Sequence, residues 1–131
     1  MTWAVRVLVC GGRDYADRQH VFREMDRIAG ISETAPLGRN ITIIHGACRT
    51  GADQWADEWA VLNWKQIDEF PADWQTHGRA AGPIRNQRMI DEGRPDLVVA
   101  FPGGSGTADM VRRAEKAGIP VSRPSPSEGS R

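Results

Sequence analysis

The chain has 131 residues, 40% of them apolar and 26% charged, with 17 basic and 17 acidic side chains. That length suits one compact domain able to bury a core without disulfides or a structural metal. The balanced charge excludes a globally basic, phosphate-tracking surface and argues against nucleic acid as the partner, while leaving room for a local basic patch.

The two cysteines, Cys10 and Cys48, follow apolar runs and lack metal-ligand spacing. They read as free thiols of a reducing compartment, and no zinc is expected. The N-terminus has no basic segment leading into a long apolar core, and no run approaches the ~20 apolar residues of a membrane span. The expected location is the cytoplasm, away from membranes.

In chain order, Val5 to Cys10 is an apolar, β-branched strand that ends at Gly11-Gly12. Asp17 to Ala29 repeats apolar residues at helical spacing and stops at Gly30. After a polar connection, Ile41 to His45 is a second strand and Ala52 to Asn63 a second helix. Lys65 to Phe70 is a poor strand by pattern, placed third because it lies between helices. Residues 71–82 read as a loop, and Pro83 opens a helix to about Glu92. Leu97 to Phe101 is the fourth strand, Thr107 to Ala117 a helix capped by Gly118, and Ile119 to Val121 a short last strand. Residues 1–122 form one domain, and 123–131 have the composition of a disordered tail.

Apolar strands alternating with helices predict an α/β fold: a doubly wound, parallel, five-stranded sheet of order 3-2-1-4-5 with helices on both faces. In such a sheet, ligands bind where the strand order reverses, at the carboxyl ends of the strands. Three turns at that edge are rich in glycine and small or charged residues. The first holds Gly11, Gly12, Arg13 and Asp14. The second holds Gly46, Arg49, Thr50, Gly51 and Asp53. The third holds Pro102, Gly103, Gly104, Ser105, Gly106 and Thr107. Glycine lets a backbone approach a phosphate, helix starts favour anions, and Arg13, Arg49, Ser105 and Thr107 add donors. Neither a P-loop nor G-x-G-x-x-G is complete, so ATP hydrolysis and ordinary NAD chemistry lose support.

GGRDY after the first strand, HGACRTGAD after the second, FPADW followed by GPIRNQRM, and PGGSGT after the fourth together resemble the SLOG superfamily, and within it the YspA-like branch of small bacterial and phage proteins. The likeness spans about residues 4–121. It implies a Rossmann-like fold that binds nucleotides or nucleotide-derived ligands, to sense or sequester a signal. Relatives in the superfamily include the "lonely guy" phosphoribohydrolases, which cleave the N-glycosidic bond of nucleoside 5′-monophosphates, and the DNA-processing protein DprA.

The enzymes carry R-K-x-x-M and P-G-G-x-G-T-x-x-E. Here the first reads Arg85-Asn86-Gln87-Arg88-Met89, without the lysine, and the second ends in Met110 instead of glutamate. Methionine cannot exchange a proton, and Asp109 is turned about 100° around a helix from that position. A binding role without strong catalytic apparatus is therefore expected. The alternative is a phosphoribohydrolase-like enzyme, with Asp53 and Arg85 as its only candidate catalytic groups, and a DNA-binding role comes third.

Arg85, in the first turn of its helix, is expected on the ligand edge, where a phosphate would offset the unfavourable dipole. Asn86 reads either as a ribose or base ligand or as a surface residue, and Arg88 as evenly poised. Asp53 and Asp14 read equally as caps or as ligand groups. Trp55 and Trp59 fit a core or a subunit interface, and Trp74, in a loop near the ligand edge, reads as a base-stacking group or, in preference, as a packing residue. His45 is expected to be structural and His77 solvated. No metal is expected beyond Mg²⁺ carried by a phosphate, and a homodimer or higher homo-oligomer is expected.

Overall fold

Along the first strand, alternate side chains lie on opposite faces of the sheet, and both faces are covered. Val7 and Val9 enter one core and Leu8 and Cys10 the other. The fourth strand does the same, with Val99 and Phe101 on the first side and Val98 and Ala100 on the second. This two-sided burial is why the strands are continuously apolar rather than alternating.

The computed structural model describes residues 4–124. Most of the tail expected over 123–131 lies outside them. The elements are β1 (Val5–Cys10), α1 (Arg18–Ala29), β2 (Ile41–His45), α2 (Gly51–Leu62), β3 (Gln66–Glu69), α3 (Trp74–His77), a 3₁₀ turn (Gly78–Ala80), α4 (Ala81–Asp91), β4 (Leu97–Ala100), α5 (Ser105–Lys116) and β5 (Val121–Ser122). All five strands pair in parallel in the order β3-β2-β1-β4-β5, as expected for a Rossmann-like sheet. Helices α1 and α2 cover one face through Val21, Met25, Ala56 and Trp59. Helices α4 and α5 cover the other through Met89, Ile90, Met110 and Val111.

The weak pattern of β3 reflects its place at the sheet edge, where only Ile67 packs partly against the core. Arg6, the polar exception in β1, binds Asp68 of β3 at 2.6 Å, and its backbone N–H donates to Asp96. Trp59 is fully buried, with its indole N–H on Asp26. Trp55 is half-buried, with its N–H on the carbonyl of Tyr15. Both tryptophans of α2 thus pack on the core of their own chain, while Val61 and Leu62 at its end are exposed.

One segment departs from expectation. Residues 71–82 do not form a plain loop: α3, the 3₁₀ turn and the start of α4 occupy 74–82. Asp73 caps α3 by accepting from the N–H of Thr76, and Pro83 sits in the first turn of α4 rather than opening it. Helix α5 likewise starts two residues early, at Ser105. No helix among the described residues is long and apolar enough to cross a membrane.

Candidate ligand-binding cleft

Strand order places the ends of β1 and β4 side by side, and their turns pack directly together. The N–H of Gly12 donates to the carbonyl of Pro102 at 2.8 Å. A Cβ on Gly103 would lie 2.7 Å from the nitrogen of Gly12 and would also strike Thr107. Tyr15 pins the first turn by stacking on Phe101 with centroids 5.5 Å apart. Held in this way, Gly11, Gly12 and Gly104 join Gly46 of the second turn in lining a cleft of about 1000 Å³, at the upper end of the roughly 300–1,000 Å³ usual for small-molecule sites.

The second turn is built around Asp53. Its carboxylate accepts from the N–H of Gly46 at 3.1 Å and of Cys48 at 3.3 Å, so it folds the turn and does not cap α2. Burial pushes the Asp53 carboxyl above its ordinary pKa, opposed but not cancelled by His45, Arg85 and the two amides. His45 is structural, as expected. Its Nδ1 accepts from the N–H of Ala47, so Nε2 carries the proton and donates to Asp57 at 2.7 Å. His45, Asp57 and Glu69 lie close enough to face one cation, a grouping spread over three elements and invisible in sequence. The imidazole is already satisfied on both nitrogens, by Ala47 and Asp57.

Arg85 reaches the cleft edge from α4 and is half-buried. Its Nη1 donates to the carbonyls of Gly46 (2.6 Å) and Phe70 (3.4 Å), and its Nε to Asn86 (3.1 Å). Burial lowers its pKa, Asp53 raises it, and the neighbouring charge of Arg13 lowers it further. Nη2 has no partner among the described residues. Asn86 is buried, not a surface residue, and its amide donates to Asp109 at 3.0 Å and to the carbonyl of Gly106 at 3.2 Å. Arg88 pairs with Glu92 on the outside and does not line the cleft.

The third turn becomes the first turn of α5. Gly104 is the cap residue and has no side chain to accept from the free amides that follow. Gly104, Ser105, Gly106 and Thr107 all line the cleft. One turn further on, Asp109 lines it too, while Met110 is 1% exposed in the second core. One step around the helix from Met110, Asp109 therefore faces the cleft, although it was not among the residues expected at the site. Burial alone would raise its pKa, but hydrogen bonds from Arg113 and Asn86 and the charges of Arg113 and Arg112 outweigh that and lower it.

Of the residues expected at the site, Gly11, Gly12, Arg13, Gly46, Arg49, Asp53, Arg85 and Asn86 line the cleft together with the four of α5. Asp14, Thr50, Gly51, Pro102 and Gly103 do not. A Cβ on Gly51, at φ +73°, would strike the carbonyl of Gly12, so this glycine and Gly103 let the turns pack together. Arg79 and Arg112 line the cleft and were not expected there, and Trp74, expected near this edge, lines it too. Arg112 follows Ser105 and Asp109 at helical spacing, a polar stripe the sequence does carry. Arg13, Arg49 and Arg79 have no carboxylate partner among the described residues.

Residues 5–77 match the family described as YAcAr: YspA, cpYpsA-related SLOG family. The chain belongs to that family. It is also 40% identical over 123 residues to the Gene 61 protein of Mycobacterium phage D29, an alignment that covers 88% of this chain and 93% of the phage protein. The SLOG match ends at His77, before α4 and α5, so the family assignment rests on the first two turns and β3. The α4 and α5 walls of the cleft are read from their own geometry.

Proposed function

We propose that the cleft binds a phosphorylated nucleotide or nucleotide-derived ligand and holds it without cleaving it. The observation that carries this reading is a pair of glycines. At Gly104 and Gly106 a Cβ would meet nothing within 4 Å, and neither residue has a positive φ. Packing gives no reason for glycine at either position, and at Gly106, inside the first turn of α5, glycine also costs roughly 1 kcal/mol relative to alanine. A ligand resting on the backbone does give a reason, since a side chain would stand between it and the free amides.

The charges agree with an anion. Arg13, Arg49 and Arg79 face the same space without acidic partners among the described residues, and Arg13 is close enough to disfavour the charge of Arg85. An anion between them relieves that repulsion. The carboxylates are poorly placed for glycosidic cleavage. Met110 is in the core, Asp109 is held ionised and so has no proton to give, and Asp53 is committed to two backbone amides. Sensing or sequestering a nucleotide signal fits this better than turnover.

The test is a thermal-shift screen against nucleoside monophosphates, ADP-ribose-type compounds and cyclic dinucleotides, followed by chromatography of each mixture. A ligand at 100 times its Kd stabilises by about 2.7 kcal/mol. Stabilisation with intact ligand recovered supports the reading. Release of free base transfers the protein to the phosphoribohydrolase-like class, with Asp53 the first residue to replace.

A further inference from the structure

Trp74 is expected from sequence to pack, and the structure leaves it 49% exposed at the wall of the cleft. Its ring is nonetheless seated. The cap on Asp73 fixes the start of α3, and the Cη2 edge lies 3.5 Å from where a Cβ of Gly82 would be. The guanidinium of Arg13 sits over the ring, with Cζ 5.6 Å from the centroid. Arg13 is exposed and has no carboxylate partner among the described residues, so the ring is what holds it.

We infer that Trp74 is the stacking platform for the aromatic base of the ligand, and that Arg13 covers this platform until the ligand arrives. This rests on the nucleotide reading above. A base cannot slip between groups 5.6 Å apart, because two stacked layers need about 7 Å, twice the separation of atoms in contact. Arg13 must therefore leave the ring. An arginine released beside an anion pairs with it, so one movement exchanges a cation–π contact for a phosphate contact and a base stack. A flat π-system joined to a phosphate satisfies both halves, and a bare sugar phosphate satisfies one.

The experiment is calorimetric titration of the wild type, Trp74→Ala and Trp74→Phe with adenosine 5′-monophosphate and with ribose 5-phosphate. Trp74→Ala should weaken the nucleotide about ten-fold relative to ribose 5-phosphate, and retained ribose 5-phosphate binding also reports that the variant is folded. Trp74→Phe should retain most of the nucleotide affinity. An unchanged ratio between the two ligands in Trp74→Ala overturns the stacking role while leaving the ligand reading intact. Failure of the wild type to bind either compound overturns both.

Discussion

The guanidinium of Arg85 lies against the backbone of Gly46, with Nη1 2.6 Å from its carbonyl oxygen and in the space a Cβ would occupy. This contact joins α4 to the second turn and brings the Arg85 charge to the cleft. Gly46→Ala would force Arg85 out. The expected result is a loss of about 1–3 kcal/mol in urea unfolding, with weaker anion binding in titration. Arg85→Lys should also fail to restore binding, because one ammonium cannot span two carbonyls and Asn86 in the same plane.

Gly106→Ala separates stability from binding. The added methyl enters open space in the first turn of α5. The fold should gain up to about 1 kcal/mol, seen as a raised Tm, while nucleotide affinity falls. A variant that gained stability and kept its affinity would remove the argument drawn from the unpacked glycines.

Asp53 and Asp109 should show opposite pH signatures. Burial raises the Asp53 pKa, so its favourable contribution is present below the unfolded carboxylate value and is lost as pH rises through the folded one. Asp53→Asn keeps an acceptor for Gly46 and Cys48 without the charge. Its stability relative to wild type should therefore improve as pH rises through that window, read by unfolding across a pH series. Asp53→Ala leaves both amides without an acceptor and should cost about 1–3 kcal/mol.

Asp109 is held low, so its contribution is present above the unfolded carboxylate value and is lost as pH falls through the folded one. Asp109→Asn should be less stable than wild type at neutral pH. The difference should close in acid, when Asp109 of the wild type is protonated too. A constant difference across the series would mean that Arg113 and Asn86 do not act on its charge.

How legible all this was depends on what each residue responds to. Strands β1, β2 and β4 are buried on both faces, which leaves unbroken apolar runs, and βα alternation then fixes their order. The glycine turns stand out for the same reason, since each interrupts such a run. Residues 74–82 carry no apolar stripe because α3 and the 3₁₀ turn bury nothing. Without periodicity they read as loop, so Arg79 was lost with them and Trp74 was placed near the ligand edge without an element to hold it. Asp109 was passed over as a site residue because it was weighed only as a substitute for the glutamate missing at Met110, which the core takes, and not with Ser105 and Arg112 on its own stripe.

The glycines also divide in a way the sequence does not reveal. Gly51 and Gly103 are required by neighbouring backbone, and Gly104 and Gly106 are not. All four look alike in a glycine-rich motif. Only the surroundings of each absent Cβ separate those that hold the turns together from those that leave the backbone open.

The most direct test of the account is calorimetric titration of the wild type and Gly106→Ala with the nucleoside monophosphates, with chromatography of the recovered ligand. The account predicts saturable binding by the wild type, intact ligand afterwards, and weaker binding by a Gly106→Ala protein that is at least as stable. Equal binding by the two proteins, or free base in the recovered mixture, would contradict it.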